Sequence, residues 1–254
     1  MDRQVEIPLP SGHRMRAHWF CPKNANPHQA GIIAIHDIFG YTDDIERIGH
    51  RLAANGYPVL VPDLYDLPGS KPLCVVKTLK AHEMGKGEAF EQLEACRQWL
   101  LNQPEELVTQ VGVMGFCMGG RFAVLYAVQA PVQVVAPFYG EIPKDHEKLQ
   151  GICPAVGGWG KTDLVYGSHG ERLASHLDRL GVPHDIKTYE GVGHSYMNQH
   201  PGFVFEKLAA VSPMRARYDE EASEDSWRRV ISFFEKVFSG EIQFPSAAKP
   251  YTSF

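Results

Sequence analysis

Residues 30–35, AGIIAI, run six positions without a polar side chain. A run this short and this apolar reads as a strand buried on both faces. Residues 57–62, YPVLVP, repeat the signature, and so does VGVMG within LVTQVGVMG. Further strands are read at VQVVAPFYG, CPAVGGWG and HDIKTYEG. Between them lie segments with helical spacing. Asp43 or Asp44 caps a helix with Ile45, Ile48 and Leu52 on one face, and Gly56 stops it. Phe90, Leu93, Ala95, Trp99 and Leu100 mark a second helix, GGRFAVLYAVQA a third, and residues 167–180 a fourth. The last carries Trp227, Val230, Ile231, Phe234 and Val237. The stretch from about residue 63 to Gly87 is polar, broken by Pro and Gly, and reads as irregular. VEIPL and MRAHWF flank Ser11-Gly12-His13 as an opening hairpin. Strands alternating with helices dictate an α/β fold: a mostly parallel central sheet with helices on both faces.

The chain has 254 residues, 44% of them hydrophobic, enough for one large core. A single domain over 1–254 is expected, with 241–254 as an extended polar tail. The net charge is −5, from 25 basic and 30 acidic residues, and the basic residues form no stripe. Nucleic acid is not the expected partner. No apolar run nears the ~20 residues needed to cross a bilayer, so no membrane partner is expected either. The start, MDRQVEIPLPSGH, lacks a basic segment followed by an apolar one, so the expected location is cytoplasmic. The five cysteines, at 21, 74, 96, 117 and 153, include no C-x-x-C pair. Free thiols are expected, rather than a disulfide framework or a zinc site. No metal or organic cofactor is implied. The expected assembly is a monomer or a small homo-oligomer.

In an open parallel sheet, ligands bind outside the carboxyl ends of the strands. At one such end the sequence reads VGVMGFCMGGR, with Cys117 between Gly115 and Gly119. A sharp strand-to-helix turn with flanking glycines exposes the central side chain above the sheet. The helix N-terminus there favours a thiolate and aims the Met118 N–H at the same point. Taken alone, the motif also fits a small buried cysteine in a Gly-rich turn. Asp163 follows AVGGW, and His194 follows KTYE in GVGHSY. Individually these are a turn aspartate and one of twelve histidines. Together they give nucleophile, acid and base in the chain order of an α/β-hydrolase site, each just past a strand. Histidine takes the thiol proton or activates water, and the carboxylate fixes its tautomer.

The end of residues 30–35 opens into His36-Asp37-Ile38-Phe39-Gly40. The Ile38 N–H is a candidate second oxyanion donor beside Met118. Asp37 is a candidate to control the thiol's protonation. His36 orients Asp37, lines the site or bonds the backbone. Phe39, Tyr65, Tyr139, Trp159 and Tyr196 either shape an apolar pocket or pack the core.

The segments IIAIHDIFGYTDDI, RLAANGYPVLVPDLY, VGVMGFCMGG, PFYG and GVGHSYMN, in this order, resemble the dienelactone hydrolase family over residues 5 to 240. The resemblance implies the α/β-hydrolase fold with cysteine in place of the nucleophilic serine. It maps nucleophile, acid and base onto Cys117, Asp163 and His194. It also implies a carboxylate that pairs with the resting thiol and is displaced by substrate. The family's glutamate is here Asp37, one methylene shorter. Well-known members hold the dienelactone carboxylate with two arginines. The first of those positions, four residues after the histidine, is Asn198. The second comes from the region after PDLY, where residues 63–96 contain only Lys71, Lys77, Lys80 and Lys86 as basic anchors. Lysine is a point charge and does not reproduce a bidentate guanidinium. Arg121 lies near the elbow in sequence. The implied activity is hydrolysis of a small lactone or activated ester of the carboxymethylenebutenolidase type, through an acyl-enzyme. Its rivals are a general short-chain carboxylesterase or thioesterase, and a non-hydrolytic protein whose Cys117 is a redox or ligand-binding thiol. Segment 200–222, after the histidine, is either a lid or a cover over the core.

Overall fold

The computed structural model describes residues 2–24, 26–67, 71–104, 106–199 and 212–244. In chain order the strands are β1 (Asp2–Pro8), β2 (Arg14–Phe20), β3 (Ala30–Ile35), β4 (Val59–Pro62), β5 (Gln110–Phe116), β6 (Val134–Phe138), β7 (Ala155–Gly160) and β8 (His184–Tyr189). The helices are α1 (Asp43–Ala54), α2 (Lys71–Met84), α3 (Glu88–Leu101), α4 (Met118–Gln129), α5 (His169–Leu180) and α6 (Glu220–Phe238). The eight strands form one sheet in the order β1-β2-β4-β3-β5-β6-β7-β8. β1 and β2 pair antiparallel, as do β2 and β4, and every pair from β4 to β8 is parallel. The mostly parallel sheet is what the alternation of strands and helices requires, and its architecture is the α/β-hydrolase fold that the resemblance implies.

The apolar runs behave as their composition requires. Every residue of β3, β4, β6 and β7 is buried. Helices cover both faces through Ile45, Ile48 and Leu52 of α1, Phe90 and Leu93 of α3, and Trp227, Val230 and Phe234 of α6. The register carries the function. Ile35 at the end of β3 pairs with Gly115 in β5, Phe116 pairs with Phe138 in β6, and Phe138 with Gly158 in β7. The loops after β3, β5, β6, β7 and β8 therefore open along one edge of the sheet.

Two local expectations are corrected. α1 is not capped by Asp43 or Asp44, which are its first two residues, and Thr42 occupies the N-cap position. Asp44 is engaged elsewhere: its Oδ1 accepts from Arg47 (2.8 Å) and from the Gln199 N–H (2.9 Å). The stretch expected to be irregular contains α2. Its apolar residues are spread around the helix and gathered into no single stripe, and tertiary bonds help to hold it. Thr78 Oγ1 donates to the Leu64 carbonyl (2.9 Å), and Arg121 caps the carbonyls of His82 and Glu83 (2.9 and 3.4 Å). The lid candidate falls largely outside the described residues, which resume at Ser212. Of the expected tail, 245–254 also lie outside them. The five cysteines are free. Among the described residues no helix is long and apolar enough to cross a membrane.

Candidate active site

β5 ends in a turn that only a special sequence can make. Cys117 has φ 53° and ψ −113°, a left-handed conformation that is strained for any residue with a side chain. Its N–H donates to the Phe138 carbonyl (3.0 Å), which locks the turn to β6. The glycines make the turn passable. A Cβ on Gly115 would lie 2.0 Å from the Gly119 carbonyl oxygen, and one on Gly119 would lie 2.4 Å from that of Ile35. The two glycines thus let β5 turn sharply into α4 and let α4 touch the end of β3. Two more residues beside the site have positive φ, Tyr139 (40°) and Ser195 (53°). Strain of this kind concentrates where side chains must be aimed.

His194 and Asp163 meet behind the elbow. The His194 Nδ1–H donates to Asp163 Oδ2 at 2.7 Å, and both side chains are buried. The other oxygen, Oδ1, accepts the N–H groups of Val165 (2.9 Å) and Tyr166 (3.0 Å), which fixes the carboxylate. Burial pushes the imidazole pKa down, but the Asp163 hydrogen bond and the Cys117 sulfur outweigh it and raise it to about 9. Nε2 is buried and makes no hydrogen bond of regular geometry among the described residues. The rings of Tyr139 and Tyr166 pack against the imidazole with centroids 5.1 and 5.6 Å away. The backbone of 212–217 brackets it: the His194 N–H donates to the Met214 carbonyl (2.9 Å), and the Arg217 N–H to that of His194 (3.1 Å).

The loop after β3 forms the facing wall. Asp37 is buried, and its Oδ1 accepts the Phe39 N–H at 2.8 Å. Tyr65 Oη donates to the Ile38 carbonyl (2.7 Å) and lies 3.7 Å from Met118 Sδ, tying this loop to the start of α4. The Ile38 and Met118 N–H groups donate to no other described residue.

Cys117, His194, Asp37, Ile38, Phe39, Met118 and Tyr139 line one cavity of about 520 Å³. Asp163 stands behind His194, and Tyr65 behind Ile38. The remaining substrate-contact candidates lie outside the lining. His36 is fully buried: its Nε2 accepts the Leu64 N–H (3.1 Å), so Nδ1 carries the proton and donates to the Asp37 carbonyl (2.6 Å). It ties the ends of β3 and β4 together. Trp159 is buried and donates to the Gly140 carbonyl (3.0 Å), and Tyr196 is buried against Ser226 (2.8 Å). Arg121 points along α4 to α2 and Glu141. Asn198 bridges the Tyr139 hydroxyl and the Asp44 carboxylate away from the cavity.

Other lining residues escaped the sequence reading. Leu79 and His82 come from the unrecognised α2, and Ser212, Met214 and Ala216 from a segment without periodicity. Glu141 and Tyr166 follow strand ends, so the strand-end rule itself pointed to them.

Comparison with known proteins identifies the family and the fold. The model of the Dienelactone hydrolase family matches residues 15–238. A protein of Saccharolobus solfataricus named "Putative carboxymethylenebutenolidase" is 30% identical, covering 89% of this chain and 95% of its own. The carboxymethylenebutenolidase of Rhodococcus opacus is 25% identical over 82% of this chain and 81% of its own. A crystal structure described as a "Putative Dienelactone Hydrolase" from Klebsiella pneumoniae superposes with a TM-score of 0.71 at 22% identity, covering 94% of this chain and 98% of that one. At that identity the superposition speaks for the fold alone. The chain belongs to the dienelactone hydrolase family of carboxylic-ester hydrolases.

Proposed function

We propose that this hydrolase opens a small lactone or cleaves an activated ester through a Cys117 thioester, with His194 and Asp163 as base and acid of the triad. The observation that carries the reading is a left-handed Cys117 at the tip of β5, in one cavity with a His194 that is buried and held by Asp163.

In the proposed cycle the Cys117 thiolate attacks the carbonyl carbon, and the carbonyl π electrons move onto oxygen. The Ile38 and Met118 N–H groups receive that oxyanion. Collapse re-forms the carbonyl and expels the ester or ring oxygen, which takes the His194 proton. Neutral His194 then removes a proton from water, hydroxide adds to the thioester, and collapse expels Cys117 as thiolate and releases the carboxylic acid, which loses its proton to solvent. An enolate leaves readily. An alkoxide from a plain alkyl ester competes poorly, because the intermediate expels the thiolate instead. Asp37 shares the cavity with the thiol, and in this reading its carboxylate governs when the thiolate forms.

The test compares an enol lactone with a panel of p-nitrophenyl esters, using the wild type and Cys117→Ala. The reading expects the lactone to be turned over fastest and all turnover to vanish in the variant. Unchanged hydrolysis by Cys117→Ala overturns the nucleophile assignment. Faster turnover of every simple ester than of any lactone turns the protein into a general esterase. In Asp37→Asn the pH dependence of Cys117 alkylation should shift, and an unmoved profile removes Asp37 from the thiol's control.

A further inference from the structure

The charges around the cavity set its substrate class. Its walls are mostly apolar: Ile38 and Phe39, each about half exposed at 48% and 50%, line it together with Leu79, Met118 and Met214. Among the described residues no lysine or arginine lines it. The charged lining groups are Asp37, Glu141 and His194, and His194 is committed to Asp163 and the thiol. His82 adds no charge at neutral pH, since burial and the neighbouring Arg121 push it down to about 4.

Arg121, four residues after Cys117, is the candidate to bind an anion, and each of its three nitrogens is engaged elsewhere. Nε donates to the His82 carbonyl (2.9 Å), one terminal nitrogen to that of Glu83 (3.4 Å), and the other pairs with Glu141 at 2.8 Å. The Arg121 side chain is 13% exposed on α4, while Glu141 keeps 41% of its side chain exposed. The cavity is thus met by a carboxylate, with the compensating cation behind it.

We infer that the site takes uncharged substrates with an apolar body and turns away those that carry a carboxylate beside the reacting carbonyl. The inference rests on the Cys117 reading of the preceding section and names the substrate class of that site. An incoming anion would meet Asp37 and Glu141, and among the described residues no lysine or arginine lines the cavity to repay its lost hydration. An apolar body gains by leaving water for walls of leucine, methionine and phenylalanine.

The test uses an enol lactone with a carboxylate beside the reacting carbonyl, and its methyl ester, which share the reacting bonds and differ in that one charge. Ring opening is followed spectroscopically for the wild type, Cys117→Ala and Glu141→Gln. The expected result is a kcat/KM for the methyl ester at least about tenfold above that for the carboxylate. This ratio should shrink with added salt, because screening weakens repulsion between charges. It should shrink severalfold in Glu141→Gln. Each ratio is internal to one protein, so a partly unfolded variant does not distort it. Equal rates, or preference for the carboxylate, with activity abolished in Cys117→Ala, overturn this inference and leave the nucleophile reading standing. Failure to open either ring, or opening that survives Cys117→Ala, overturns both.

Discussion

Gly119→Ala tests how the elbow is built. A Cβ at this position would lie 2.4 Å from the Ile35 carbonyl oxygen and 2.5 Å from that of His36. Both obstacles are backbone atoms, so no side chain can swing aside. Contacts below 3.0 Å do not persist, and α4 must withdraw from the end of β3 by at least the missing 0.6 Å. Met118, next to Gly119, and Ile38, two residues after His36, supply the two proposed oxyanion donors. They sit on the segments that are forced apart. Overpacking of this kind costs about 1–3 kcal/mol. For a domain of this size that lowers Tm by roughly 3–10 °C. The larger effect should be on rate. Misplacing a donor by a fraction of an ångström, when losing one outright costs 10²–10³ in kcat, should lower kcat by about 10–100-fold. The assay is steady-state hydrolysis of an activated ester alongside thermal denaturation. Gly181→Ala is the control: Gly181 ends α5 with φ 64° and nothing within 4 Å of its Cβ position. Alanine in that left-handed conformation costs about 1–2 kcal/mol far from the site, so Tm should fall with kcat preserved. If Gly119→Ala loses stability but keeps kcat within about threefold of wild type, the packing of α4 on β3 does not set the oxyanion site.

Two further outcomes follow from the geometry around His194. Its imidazole is raised from 6.5 to about 9, so the stabilisation it draws from Asp163 and Cys117 is complete below about pH 6.5 and is lost as pH rises through 9. The pH profile of kcat/KM should therefore show an alkaline limb near 9, and in Asp163→Asn that limb should move toward lower pH with a large loss of kcat. An unmoved limb would detach the titration from this pair. Asn198→Ala leaves the buried Tyr139 hydroxyl and Asp44 carboxylate each short of a partner, at a cost of about 1–3 kcal/mol, and Tm should drop by several degrees. KM should stay within about threefold, because Asn198 does not line the cavity. A tenfold rise in KM with Tm intact would make Asn198 a substrate contact after all.

The parts of the molecule that were legible in the sequence share one physical property: each is dictated by a local pattern. The all-apolar runs of β3, β4 and β6 allowed one environment, and the structure buries every residue in them. Gly115 and Gly119 announced a turn that no other residue fits, and the structure puts Cys117 there with φ 53°. Strand-end logic placed Asp163 and His194 on the same edge, where they meet at 2.7 Å. What stayed hidden depends on partners distant in the chain. α2 has no apolar stripe, so its helical state rests on Leu64 and Arg121, which no local window contains. Arg121 follows the elbow by four residues, and a local window does not tell whether it faces the site or away from it; α2 and Glu141 engage its three nitrogens. Tyr65 and Tyr139 were alike in the sequence, each fitting either a pocket wall or the core. Only the contacts separate them, since Tyr139 faces the cavity while Tyr65 braces the loop behind Ile38.

The central claim is that Cys117 carries the acyl group during turnover. The most direct measurement mixes the protein with an activated ester, quenches in acid within milliseconds, and weighs the intact chain and its peptides by mass spectrometry. The account predicts a mass increase equal to the acyl group, confined to the peptide containing Cys117, that forms in wild type, persists longer in His194→Ala once formed, and is absent in Cys117→Ala. Turnover with no adduct on Cys117, while Cys117→Ala hydrolyses the same ester at the wild-type rate, would contradict it.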